Sequence, residues 1–248
     1  MSESIIREPG LAAIHPEWEA FEKQFPIPPL LGSPQQLRQL KFPKSSSPPI
    51  GFSIRDVEIP GYQGATNQLR LYTPDDSSEP LPIVIYVHGG GWTMGNLDSE
   101  TKVCRTMFNR DQVFENIDSL GGASDKIIIG GLSAGGNIAA VLAQRARSAA
   151  NIAFRGQILR VPLVVHEDAL PREFDFSSYT ENASAPILPS AAVTQCLGYY
   201  GGPPEDIRMS PLLAKDFSGL PPAYIQVAGA DPLRDDGFAY AERLREVG

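Results

Sequence analysis

Hydrophobic and polar positions change their rhythm partway along the chain. The stretches "FSIRDVEIPG" (52–61) and "NQLRLYTP" (67–74) alternate apolar with polar residues and end in turn chemistry, which predicts a pair of half-buried antiparallel strands. Beyond Pro82 the character is different. "IVIYVHGGGW" (83–92), "KIIIGGLS" (126–133), "GQILRVPLVV" (156–165) and "AYIQVAGADP" (223–232) are continuous apolar runs of the kind buried on both faces of a parallel sheet. Helix-like segments intervene, notably "GNIAAVLAQRARSAA" (136–150), and "PLRDDGFAYAERLREVG" (232–248) reads as an amphipathic helix. An antiparallel pair followed by alternating strand and helix predicts an α/β fold, a mostly parallel sheet with helices on both faces.

Two segments fall outside this alternation. Nine of the 23 prolines crowd into residues 1–50 around one helix candidate, "HPEWEAFEKQF", where Pro16 suits a first helical turn. Residues 1–50 are therefore read as an N-terminal arm and 51–248 as the main domain. Within it, residues 166–219 are too long for a plain loop and carry a helical stretch over 189–200, which suggests a lid or cap insertion.

Composition adds exclusions. Lys plus Arg number 21 against 29 Asp plus Glu, a net charge of −8, and no basic run stands out, which argues against nucleic acid or an anionic membrane as partner. No signal-like or membrane-spanning apolar stretch occurs, so a soluble cytoplasmic protein is the expectation. Cys104 and Cys196 lack metal-like spacing and read as free core thiols.

Three stretches carry chemistry. Gly131-Leu132-Ser133-Ala134-Gly135 fits G-x-S-x-G, a tight strand-to-helix turn that leaves a serine oxygen exposed; Ser133 could alternatively do no more than start the following helix. His88-Gly89-Gly90-Gly91 follows another buried strand, and consecutive glycines let backbone N–H groups approach an acyl oxygen, although a plain glycine turn reads the same way. Asp231, between a strand and a helix, stands where an acid can orient a histidine, or where an N-cap precedes Pro232.

Together these motifs resemble the hormone-sensitive-lipase-like branch of the α/β-hydrolases, carboxylesterases and lipases with an H-G-G-G loop and a G-D-S-A-G-G-N-type elbow. The resemblance covers about residues 50–248; Leu132 stands where the family often carries Asp. It implies Ser133 as nucleophile, Gly90, Gly91 and Ala134 as oxyanion donors, Asp231 as triad acid, a cap built from the arm and the insertion, and a small-molecule ester as substrate. It also implies no metal or organic cofactor.

The pattern breaks in two places. The resemblance places a histidine after the acid, and none stands between Pro232 and Gly248; the chain's three histidines are His15, His88 and His166. His166 is the best surrogate base by position. His88 and Ser133 also stand about 30 residues closer than the resemblance implies, which leaves out an interior strand between the antiparallel pair and "IVIYVHGG". Three readings stay open: an ester hydrolase acting through Ser133, a binding protein that keeps fold and pocket without turnover, as plant hormone receptors in the resemblance do, and an incomplete gene product.

Overall fold

A computed structural model describes residues 10–40, 49–75, 81–108, 122–148 and 153–248. Strands β1 (Phe52–Pro60) and β2 (Thr66–Pro74) pair antiparallel as a hairpin, with Phe52 opposite Pro74 and Pro60 opposite Thr66. Strands β3 (Leu81–Val87), β4 (Gly122–Leu132), β5 (Phe154–Arg160) and β6 (Ala223–Gln226) form a separate parallel sheet in the order β3-β4-β5-β6. Each apolar run of the sequence thus becomes one strand of the parallel sheet.

The hairpin does not join that sheet. Among the described residues β3 pairs on one side only, with β4, and β2 pairs only with β1. Arg110 and Asp111, where the spacing between His88 and Ser133 is short, and the helix-like stretch "DQVFENIDSLGG" up to Gly121 lie outside the described residues. What holds the hairpin instead is polar. The Arg70 guanidinium is bidentate on Asp56 across the hairpin, at 2.7 and 2.9 Å, and reaches Asp98 at 2.6 Å in the loop after β3. Helix α3 (Thr101–Phe108) contributes Arg105, whose guanidinium lies 5.5 Å from the centre of the Phe52 ring.

The core sits where helix α4 (Ala134–Ala146) crosses the parallel sheet. Its inward face is Ala139, Ala140 and Ala143, all but fully buried, and these small side chains let the helix approach Ile129 of β4 and Leu159 of β5 closely. Burying Ile129 and Leu159 stabilises the fold by about 1.5–3 kcal/mol each. Helix α7 (Arg234–Glu246) closes the same core with Ala239 and Tyr240, the latter edge-on to Phe217.

In the arm, α1 (Pro16–Gln24) and α2 (Pro34–Arg38) both begin at proline, and Ser33 and Gln36 form a reciprocal capping box on α2. Within 166–219 lie two short helical pieces, α5 (Ser178–Glu181) and α6 (Ser190–Tyr200), and single turns at Glu167–Ala169 and Pro211–Leu213. Arm and insertion touch: the Gly32 amide donates to Gln195 Oε1 at 3.0 Å, Tyr199 Oη donates to the Gly32 carbonyl, and the Leu30 amide donates to the Ile187 carbonyl. Among the described residues no helix is long and apolar enough to cross a membrane.

Candidate active site

Each candidate stretch follows a parallel strand at its carboxyl edge: His88 follows β3, Ser133 follows β4, and Asp231 stands in the turn after β6. In open α/β sheets this edge is where ligands bind. Ser133 itself has φ 54° and ψ −118°, a conformation costly for a residue with a side chain, and its side chain does not cap α4, which it precedes. Ser133 thus starts the helix through its backbone, its carbonyl accepting the Asn137 amide, and not through its side chain. Its amide is instead fixed to the Arg160 carbonyl at 2.9 Å, which ties the turn to β5.

Glycine makes the turn possible for steric reasons. A Cβ on Gly131 would collide with the Gly135 carbonyl, and one on Gly135 would collide with the carbonyls of Val87 and His88. The elbow is thus packed backbone to backbone against the end of β3. At the neighbouring loop a Cβ on Gly91, where φ is +56°, would strike Cys196 Sγ. The loop is braced by the Thr93 and Met94 amides donating to the Gly90 carbonyl and by Arg38 Nε donating to the Thr93 carbonyl. Among the described residues the amides of Gly90, Gly91 and Ala134 take no part in backbone hydrogen bonding, so three donors remain available beside Ser133. Ala134 additionally opens a 13-residue helix, whose N-terminal end favours negative charge.

A cavity of about 280 Å³ opens at this point, lined by Gly89, Gly90, Gly91, Ser133 and Ala134. Its other walls come from afar: Leu30 and Leu40 from the arm, Ile187, Leu188, Val193 and Cys196 from the insertion. Sequence reading did not single out these wall residues, because apolar side chains scattered over such distances show no local pattern. One signal does mark the site in the backbone. Five non-glycine described residues have positive φ, and four of them, Trp92, Ser133, Val161 and Ile187, line the cavity. Strain of this kind concentrates at functional sites.

The acid and the histidines are placed differently. The Asp231 carboxylate accepts the Leu233 amide at 2.8 Å, and burial pushes its pKa up to about 6. Among the described residues no salt bridge reaches it, whereas its neighbours in "DPLRDD" are engaged. Asp235 pairs with Arg234 at 3.0 Å and accepts the Ser178 amide; Asp236, fully buried, accepts the Val164 and Val165 amides. The reading of Asp231 as an N-cap with Pro232 at the first helical position is not met: α7 begins at Arg234 with Leu233 as its N-cap, and the half-buried Asp231 carboxylate accepts the Leu233 amide in the turn before it.

None of the three histidines lines the cavity. His15 accepts the Glu17 amide at the start of α1, exposed on the arm. His88 is folded back into its own loop, with Nδ1 2.7 Å from the Gly89 carbonyl and Gly95 packed against the ring. His166 is buried after β5, its Nδ1 accepting the Asp168 amide and its own amide donating to Ser210 Oγ. Candidate nucleophile and oxyanion donors are brought together; a basic nitrogen is not. No group of three metal-ligating side chains occurs among the described residues, and Cys104 and Cys196 are free thiols.

Comparison with known proteins settles the lineage. A model of the alpha/beta hydrolase fold family matches residues 109–248, and a second family model, BD-FAE, matches residues 69–118. The chain belongs to the α/β-hydrolase fold family. It is 37% identical over 249 residues to carboxylesterase NlhH of Mycobacterium tuberculosis, covering 86% of this chain and 75% of the relative. Esterase LipI of the same organism is 35% identical over 233 residues, covering 79% and 70%. Among solved structures, vibralactone cyclase superposes with a TM-score of 0.81 at 25% identity, covering 100% of this chain and 87% of that one. An esterase of Pyrobaculum calidifontis gives 0.76 at 27% identity, covering 95% and 86%. This α/β-hydrolase therefore shares its lineage with carboxylic-ester hydrolases.

Proposed function

We propose that this α/β-hydrolase binds a small-molecule carboxylic ester in the cavity beside Ser133, with the cap formed by residues 1–50 and 166–219, and that the protein is cytoplasmic. Ser133 is the nucleophile. Attack of its Oγ on the ester carbonyl moves the carbonyl π electrons onto oxygen, where the amides of Gly90, Gly91 and Ala134 receive the negative charge. Collapse of that tetrahedral species would expel the alcohol and leave an acyl-serine. Both steps need a group that takes the serine proton and delivers it to the leaving oxygen. Asp231 is the acid that would orient such a base. Because His15, His88 and His166 are all held elsewhere, this chain performs the binding and oxyanion parts of the reaction well and the proton transfers poorly. The carrying observation is the shared cavity of Ser133 and three unused amides.

A serine-directed alkyl phosphonate tests the assignment, since it needs the same attack and the same oxyanion donors. Labelling is expected at Ser133, lost in Ser133→Ala, and slow relative to carboxylesterase NlhH. Label appearing elsewhere, or none at Ser133 after prolonged incubation, contradicts the nucleophile; rapid stoichiometric labelling contradicts the missing proton acceptor. A second reading, a binding protein without turnover, is favoured by the same placement of the three histidines and predicts tight ester binding with no labelling at all.

A further inference from the structure

One polar side chain in the cavity wall has no part in that scheme. Glu100 lies just before α3, is 9% exposed, and faces the cavity together with Ser133. The rest of the wall is Leu, Ile, Val, Met and Trp side chains with a few backbone groups, Ser99 and Cys196, so among the described residues Glu100 is the single carboxyl in it. It forms a long ion pair with Arg160, whose Nη1 stands 4.0 Å from Glu100 Oε2, while Arg160 Nε is taken by Gln226 at 2.7 Å. Burial pushes the Glu100 carboxyl above the usual carboxylate range, with Arg160 and the Gly89 amide pulling the other way. In either protonation state a carboxyl so placed accepts a hydrogen bond; ionised, in a low-dielectric wall, it also repels a second carboxylate.

We propose that Glu100 sets the selectivity of the cavity, favouring esters that carry a hydroxyl on the chain entering it and rejecting esters that carry a carboxylate there. This rests on the reading of the cavity as an ester site. An apolar pocket by itself discriminates poorly between a methyl and a hydroxyl, whereas a carboxyl in its wall, even one already engaged by Gly89 and Arg160, offers a hydroxyl a further acceptor that a methyl cannot use. The proposal requires no turnover, so it applies equally to a slow hydrolase and to a binding protein.

The experiment is equilibrium binding, read through the fluorescence of Trp92 in the cavity wall, of four probes: methyl hexanoate, its β-hydroxy and ω-hydroxy derivatives, and the monoanion of monomethyl adipate. The wild-type chain is expected to bind at least one hydroxy ester about tenfold more tightly than methyl hexanoate and the anion more weakly than either. Glu100→Leu is expected to abolish the hydroxyl preference. Glu100→Gln, nearly the same shape, is expected to keep the hydroxyl preference, since its amide oxygen still accepts, and to admit the anion about tenfold better. If the Leu variant does not fold, the Gln variant alone decides. A uniform change for all four probes would mean that Glu100 acts only by supporting the Gly89 loop and Arg160, and overturns the proposal. The same ranking of probes in all three proteins overturns it as well. Failure of every probe to bind the wild type overturns the ester-site reading itself.

Discussion

At the scale of single residues, the site is defined as much by absent side chains as by present ones. Gly135 lies against the carbonyls of Val87 and His88, so Gly135→Ala is expected to destabilise the chain by about 3 kcal/mol, measured by denaturant unfolding. Gly198 in α6 supplies the contrast, because a Cβ there meets nothing within 4 Å. Gly198→Ala is expected to be stabilising by about 0.5–1 kcal/mol through helix propensity. Equal effects at the two positions would contradict the packing of the elbow. Asp231 makes a pH-dependent prediction. Its carboxyl titrates near 6 in the fold and near about 4 in the unfolded chain, so the folded state holds the proton more tightly. That contribution to stability is greatest below about pH 4 and is lost as pH rises through 6. Asp231→Asn removes the ionisation while its amide oxygen still accepts the Leu233 amide. The variant should exceed wild type by about 2 kcal/mol at pH 8, the advantage vanishing towards pH 4. A pH-independent difference contradicts desolvation as the cause that raises the Asp231 pKa.

At the scale of elements, the order of strands was legible in the sequence because each rests on a local rhythm: alternation for β1 and β2, continuous apolar runs for β3 to β6. The elbow was legible for the same reason, since Gly131, Ser133 and Gly135 act on one another within a single turn. The cavity was not. Leu30, Leu40, Ile187 and Val193 meet only through the docking of the arm on α6, and Glu100 reads in sequence as one more surface acid ahead of a helix. The short spacing left open whether the hairpin pairs with β3 or stands apart, and its polar attachment through Arg70 was not legible at all. That attachment makes a prediction. Arg70→Ala should lower hydrogen-exchange protection in β1 and β2 by at least about tenfold while leaving β4 and β5 unchanged, because α4 and the core hold the latter. A uniform loss across both sheets would mean that hairpin and sheet open as one unit.

At the scale of the whole molecule, on the proposed reading the chain keeps the parts of an ester hydrolase that bind and polarise, while its three histidines are all employed in local structure. A strained serine, three unused amides and an apolar cavity under the arm and α6 remain in register although the proton acceptor is not among them. The shared lineage with carboxylesterase NlhH and esterase LipI makes the comparison direct. The decisive measurement is the turnover of a short-chain aryl ester at neutral pH by the 248-residue chain, its Ser133→Ala variant and carboxylesterase NlhH side by side. A rate at least about 1,000-fold below that relative is the expected result, the order of loss seen when a serine hydrolase lacks its base. Turnover within about tenfold of the relative, abolished by Ser133→Ala, would contradict the account and would require a proton acceptor at Ser133 that none of His15, His88 and His166 provides in this structure.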